Sequence, residues 1–147
     1  MAKEADMPGI SLSIPSRADA VRWACLAIRG LLQGVTLDDE EKYHVELAVS
    51  EAATNSLRHA YNGEPGHEIG LRVSIDREKV VVEIVDTGRS LDPCLLECAC
   101  LPPETEARQD SGGRGLFLIR EVMDEVRVGR VDGRNVLRMT KSHKGLK

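Results

Sequence analysis

Residues 46–61 read ELAVSEAATNSLRHAY and carry an apolar and a polar side at helical spacing. With the preceding Val45, residues Ala48, Val49, Ala52, Ala53 and Ala60 recur at helical spacing and form one apolar side. Glu51, Asn55, Arg58 and His59 fall at i, i+4, i+7 and i+8 and form a neighbouring polar side. The polar set therefore borders a buried face instead of pointing fully to water. The spacing predicts a helix from near Asp38-Asp39, whose charges suit its N-terminus, to about Tyr61. Asn62-Gly63-Glu64-Pro65-Gly66 breaks it.

Upstream, residues 9–14 (GISLSI) alternate Ile10, Leu12 and Ile14, a short strand with one buried face. Ser16 is positioned to cap a helix, with Asp19 completing a near capping box. Val21, Ala24, Cys25, Ile28, Leu31 and Leu32 follow at helical spacing, and Gly34 fits a C-cap. Downstream, Ile69, Leu71, Val73 and Ile75 alternate in one strand. Lys79 to Val85 is nearly all β-branched and reads as a central strand, joined to the first by a tight turn at Asp76-Arg77-Glu78. Residues 88–113 lack periodicity, and a loop of that length is usually functional or disordered. Leu116, Ile119, Val122, Met123 and Val126 mark a third helix. Val126 to Val131 and Val136 to Thr140 form a last hairpin around Asp132-Gly133. The order β α α β β loop α β β predicts an α+β two-layer sandwich.

The chain has 147 residues, which predicts a single domain spanning 1–147. Its net charge is −4 with scattered Lys and Arg, which argues against direct nucleic-acid binding. No apolar run approaches the roughly 18 residues of a membrane span, and MAKEADMPGI has no signal-peptide core. A cytoplasmic location is expected. Cys25 falls on an apolar helix face, whereas Cys94, Cys98 and Cys100 form C-x3-C-x-C, which departs from the spacing of structural zinc sites. Thiols in a loop are the simpler reading.

Three features carry chemistry. Glu51 and Asn55 lie one helical turn apart and can reach one point in space. An amide oxygen is a hard ligand suited to Mg²⁺, and a carboxylate beside it can accept a proton. Asp86 ends an apolar strand before Thr87-Gly88; an ionised carboxylate only accepts hydrogen bonds, so it can select an exocyclic amine. Gly112-Gly113-Arg114-Gly115 precedes a helix and can present N–H groups to phosphate. Each feature alone is commonplace: a solvated helix face, a turn, a linker. Their order and spacing together suggest a pocket for a nucleotide and its metal.

ExxxNxxRHAY, VEIVDTG and GGRGLFLIREVMDEV resemble the GHKL ATP-binding superfamily, and the resemblance covers the chain from about Ile10 to Thr140. The nearest likeness is to bacterial anti-sigma-factor serine/threonine kinases. The resemblance implies a Bergerat-type α/β sandwich with a mixed, mostly antiparallel sheet, helices on one face and an ATP lid. It implies ATP and Mg²⁺ as cofactors, with Asn55 holding the metal and Glu51 as the general base for a partner's serine. Asp86 would bind the adenine amine, with Gly88 beneath the ring and Thr140 nearby. The segment Gly113-Arg114-Gly115-Leu116 would meet the phosphates, with Arg58 and His59 toward the same side. The partners would be a STAS-type anti-anti-sigma protein and a sigma factor, and a homodimer is expected. Two departures stand out. Ser90 occupies the second glycine of the DxGxG pattern, and Asp110-Ser111 stands where sporulation-type members carry an arginine, leaving Arg108 or Arg114 to supply charge. These leave open a second reading: a nucleotide-binding switch that regulates a partner by binding alone.

Overall fold

The computed structural model describes residues 7–90 and 113–147. The expected lid, the C-x3-C-x-C cysteines and Arg108 lie outside the described residues. The elements are β1 (Gly9–Pro15), α1 (Ala18–Leu32), α2 (Asp39–Asn55), a π-helical turn (Ser56–Ala60), β2 (Glu68–Ile75), β3 (Lys79–Asp86), α3 (Gly113–Val122), β4 (Glu125–Val131) and β5 (Arg134–Ser142). The strands form one sheet in the order β1-β2-β3-β5-β4, and each neighbouring pair is antiparallel.

Strand alternation and helix period place the core between the two layers. Ile69, Leu71, Val73, Val80, Val82 and Ile84 point from the sheet toward Ile28, Leu32, Val45, Val49, Leu116 and Ile119 of the helices. Ala48, Ala52 and Ala53, at most 1% exposed, let α2 lie close against the sheet. The β-branched β3 sits in the middle, as its composition predicts. On the opposite face of the sheet, Glu83 and Arg138 are directly paired in register and form an ion pair of 3.0 Å.

The helix ends depart from expectation in instructive ways. Ser16 does not cap α1. The N-cap is Arg17, which makes no side-chain cap bond, and the buried Ser16 hydroxyl instead donates to the Glu64 carbonyl (2.9 Å) and accepts from the His67 N–H (3.2 Å). Its competing partners are backbone groups of the loop before β2, which have no ladder of their own. The C-cap of α1 is Gln33 rather than Gly34. The capping box forms on α2, where Asp38 accepts from the Glu41 N–H (2.8 Å) and Glu41 accepts from the Asp38 N–H (2.9 Å). Cys25 is buried, as expected; burial pushes its thiol up, with the Ser50 hydroxyl opposing. Val126 belongs to β4, because α3 stops at Val122.

Both hairpin turns are held by local chemistry. Asp132 (φ 50°) and Gly133 (φ 74°) take the paired left-handed conformations of a tight two-residue loop. At the β2–β3 turn, Asp76 Oδ1 accepts from the N–H groups of Glu78 and Lys79, both at 2.8 Å. Burial works to raise the Asp76 carboxyl, but these donors and the charges of Lys79 and His143 outweigh it and hold it below its ordinary value. A depressed folded-state value means the charge stabilises above the unfolded pKa, and this is lost as pH falls through the folded one. The stability advantage of wild type over Asp76→Asn is therefore expected at neutral pH and should shrink in acid. Urea midpoints across that range check it; an advantage independent of pH refutes the role of the charge.

Candidate nucleotide site

The C-terminal end of α2 supplies two side chains on the flank that faces α3. Glu51 and Asn55 are both half-buried, and Gly115 of α3 approaches them closely. A Cβ on Gly115 would lie 2.9 Å from Glu51 Oε2 and 3.2 Å from each end of the Asn55 amide. Only a residue without a side chain fits there without displacing those groups. Asn55 Nδ2 is buried and, among the described residues, has no hydrogen-bond partner. Amide nitrogen and oxygen are assigned from their surroundings, so among the described residues one end of the Asn55 amide lacks a partner. Such a group costs about 1–3 kcal/mol and is expected to have a ligand. The donor set suits Mg²⁺, which takes few protein oxygens and completes its shell with water and phosphate.

The next residue joins this pair to a second cluster. Ser56, 6% exposed, donates from its hydroxyl to Asp86 Oδ2 at 2.7 Å. Asp86 is itself only 7% exposed. Its Oδ1 accepts from the Gly88 N–H (3.1 Å) and from Asn135 Nδ2 (2.7 Å). The π-helical turn closes the arrangement. Its extra residue carries the Ala60 carbonyl onto the Arg89 N–H at 2.9 Å. A Cβ on Gly88 would stand 2.3 Å from that carbonyl oxygen. The Tyr61 hydroxyl accepts from the Thr87 N–H (2.9 Å) and donates to the Glu68 carbonyl (2.6 Å), and its ring stacks on His67.

The structure thus brings together Glu51, Asn55, Asp86, Gly88 and Gly115 of the residues singled out from the sequence. Gly113 begins α3 and Arg114 is exposed beside Gly115. Leu116 is 2% exposed and its side chain is part of the core. His59 is half-buried within the π-helical turn. Two residues go elsewhere. Arg58 lines a groove of about 460 Å³ between α1 and α2, with Arg22, Ser50 and Thr54. Thr140 pairs with Val81, whereas Asp86 pairs with Asn135, which puts Thr140 roughly 17 Å along the sheet from the expected place. It also projects from the opposite face to Asn135 and Met139, because alternate residues of a strand face opposite ways. Asn135 and Ser56 are the residues that sequence reasoning missed. The signal for Asn135 was the strand pairing; the signal for Ser56 was its place one residue after Asn55.

A family profile described as the histidine kinase-like ATPase domain matches residues 14–141. The chain belongs to that family. Among curated relatives, the serine-protein kinase RsbW of Listeria innocua is 33% identical over 135 residues, covering 90% of this chain and 85% of the relative. The same-named kinase of Bacillus velezensis is 34% identical over 124 residues, covering 81% and 76%. Among solved structures, the RsbU and RsbW domains of a Mycobacterium tuberculosis protein align with a TM-score of 0.63 at 16% identity, over 95% of this chain and 33% of that one. The SiaB–SiaC complex of Pseudomonas aeruginosa aligns with a TM-score of 0.56 at 18% identity, over 90% and 89%. These structural likenesses carry the histidine kinase-like ATPase fold, an α+β sandwich whose sheet backs the helices that bear Glu51, Asn55 and Gly115.

The two glycines of the site should respond differently to one methyl group. Gly88→Ala meets backbone that cannot move away, and a loss on the order of 3 kcal/mol or failure to fold is expected. Gly115→Ala meets the ends of two side chains, so stability should stay within about 1 kcal/mol of wild type while nucleotide binding falls. Urea unfolding together with nucleotide titration separates the two; equal stability losses refute this account.

Proposed function

We propose that the chain is an ATP-dependent protein-serine kinase, an anti-sigma regulatory factor that phosphorylates a serine of an anti-anti-sigma partner and so controls sequestration of a sigma factor. The observation that carries this reading is the convergence of the Glu51 carboxylate and the half-unpartnered Asn55 amide beneath Gly115. Relatives named as serine-protein kinases at 33% and 34% identity support it.

In this reading Glu51 takes the proton from the partner's serine hydroxyl. The Asn55 amide oxygen would hold Mg²⁺, which would supply charge neutralisation for phosphoryl transfer. Asp86 accepts from the amine of adenine, and Gly88 lies beneath the ring. Gly113 and Gly115 bring backbone close to the phosphates, and Arg114 adds positive charge at the start of α3. Phosphoryl transfer depends mainly on positioning and electrostatics, so a base, a metal ligand and close backbone suffice in outline. The expected setting is cytoplasmic. The edge strand β1, with β2 as its one neighbour in the sheet, offers a place for a second protomer to pair.

Ser90 supports a second reading. Its hydroxyl accepts from Arg130 of β4, so the position usually held by a glycine is tethered. A tethered hinge suits a nucleotide-ordered switch that acts by binding alone.

Phosphate transfer from labelled ATP to a cognate anti-anti-sigma protein decides between them. Glu51→Gln should lower transfer by about 10²–10⁴-fold while leaving ADP affinity near wild type. Normal transfer by Glu51→Gln removes Glu51 as the base. ATP binding without any phosphorylated partner favours the switch.

A further inference from the structure

The start of β5 carries a polar network that the proposed chemistry has not used. Asn135 is 8% exposed. Its Nδ2 reaches Asp86 Oδ1 (2.7 Å), the Gly88 carbonyl (3.1 Å) and the Arg89 carbonyl (3.1 Å). Its Oδ1 accepts from Arg130 at 3.3 Å, and the same Arg130 nitrogen also donates to Ser90. The orientation of this amide is settled by its neighbours. Three acceptors surround one end, which must be the donor, and a guanidinium meets the other, which must be the oxygen.

Counting lone pairs then says what Asp86 has left. An ionised carboxylate offers about two acceptor sites on each oxygen. Among the described residues, Oδ1 is filled by Asn135 and the Gly88 N–H, while Oδ2 holds only the Ser56 hydroxyl. One acceptor position remains, and it is on Oδ2. We infer that Asn135 is a positioning residue for base recognition: it occupies Asp86 Oδ1, is itself oriented by Arg130 and Ser90, and thereby commits Oδ2 to the exocyclic amine of an adenine nucleotide. This rests on the reading of Asp86 as the acceptor of the base amine. It also gives Ser90 a role: its hydroxyl is a second acceptor that holds Arg130 beside Asn135.

The discriminating ligand is inosine diphosphate, which carries a carbonyl oxygen in place of the amine. An acceptor facing that oxygen repels it. The full chain should bind ADP in preference to inosine diphosphate. Asn135→Ala frees Oδ1 and lets the carboxylate turn, so the preference should drop by about tenfold, the scale of one buried hydrogen bond. Arg130→Met lies on the surface, leaves the fold intact and should lower the preference several-fold in the same direction. Asn135→Asp sets an acceptor against three acceptors and should abolish ADP binding or folding.

Titration calorimetry of the wild type with both nucleotides, then of Asn135→Ala and Arg130→Met, reads the ratio. A purely structural role would lower stability and leave the ratio unchanged in both variants, and that result overturns the inference. If Asn135→Ala does not fold, the ratio in Arg130→Met alone decides. Wild type binding both nucleotides equally overturns the inference but spares nucleotide binding. Wild type binding neither overturns nucleotide binding as well.

Discussion

The Asp86 carboxylate holds three distant parts of the chain to one point. Ser56 lies 30 residues before it, at the end of α2, and Asn135 lies 49 residues after it, at the start of β5. The Gly88 N–H closes the turn between them. A charge this buried is tolerated only when its oxygens are bonded, because desolvating it unpaired costs several kcal/mol. The same bonds therefore fix where α2 ends against the sheet and how β3 hands over to the following turn. Once Ser56 is held, its neighbour Asn55 and, one turn earlier, Glu51 have little freedom in where they point.

The π-helical turn is the second constraint, and it follows from the first. Ala60 is the last residue of that turn. With one residue more per turn, its carbonyl accepts from Arg89 and packs so closely on Gly88 that no side chain is admitted. Gly88 is thus required by helix geometry before any ligand is considered.

Local patterns disclosed most of the elements and few of their junctions. The helical spacing of α1 and α2 and the alternation of β2 are set by residues close in sequence, and the structure has them as read. Asp86 and Gly88 stood out because a charge and a glycine ending an apolar strand violate the local pattern. Asn135 did not stand out. Beside the Asp132-Gly133 turn it looks like turn chemistry, and its role exists only through the pairing of β3 with β5, two strands not adjacent in the chain. Thr140 was the wrong choice for the same reason: a resemblance supplies a residue type near the last strand, but only the register says which residue faces Asp86. Ser16 shows the converse. Its sequence context is a cap, but the loop before β2 offers backbone groups with no other partner, and tertiary demand wins over local preference.

The two ends of the site differ in how complete they are, and the difference is physical. At Asp86 one carboxylate oxygen and the Asn135 amide are satisfied within the chain and the other oxygen is held by Ser56, so this end is formed in advance and a ligand need not order it. At Asn55 an amide end is buried and, among the described residues, without a partner, under a glycine that leaves only side-chain-free space. A protein that satisfies nearly all its buried polar groups keeps such an exception where something else completes it. In the proposed reading, the Asp86 end would hold the base, and the Asn55 end would gain its missing bond only when a further group reaches it. Affinity would come from the first and commitment to chemistry from the second, which is how binding energy is best divided between holding a substrate and reaching its transition state.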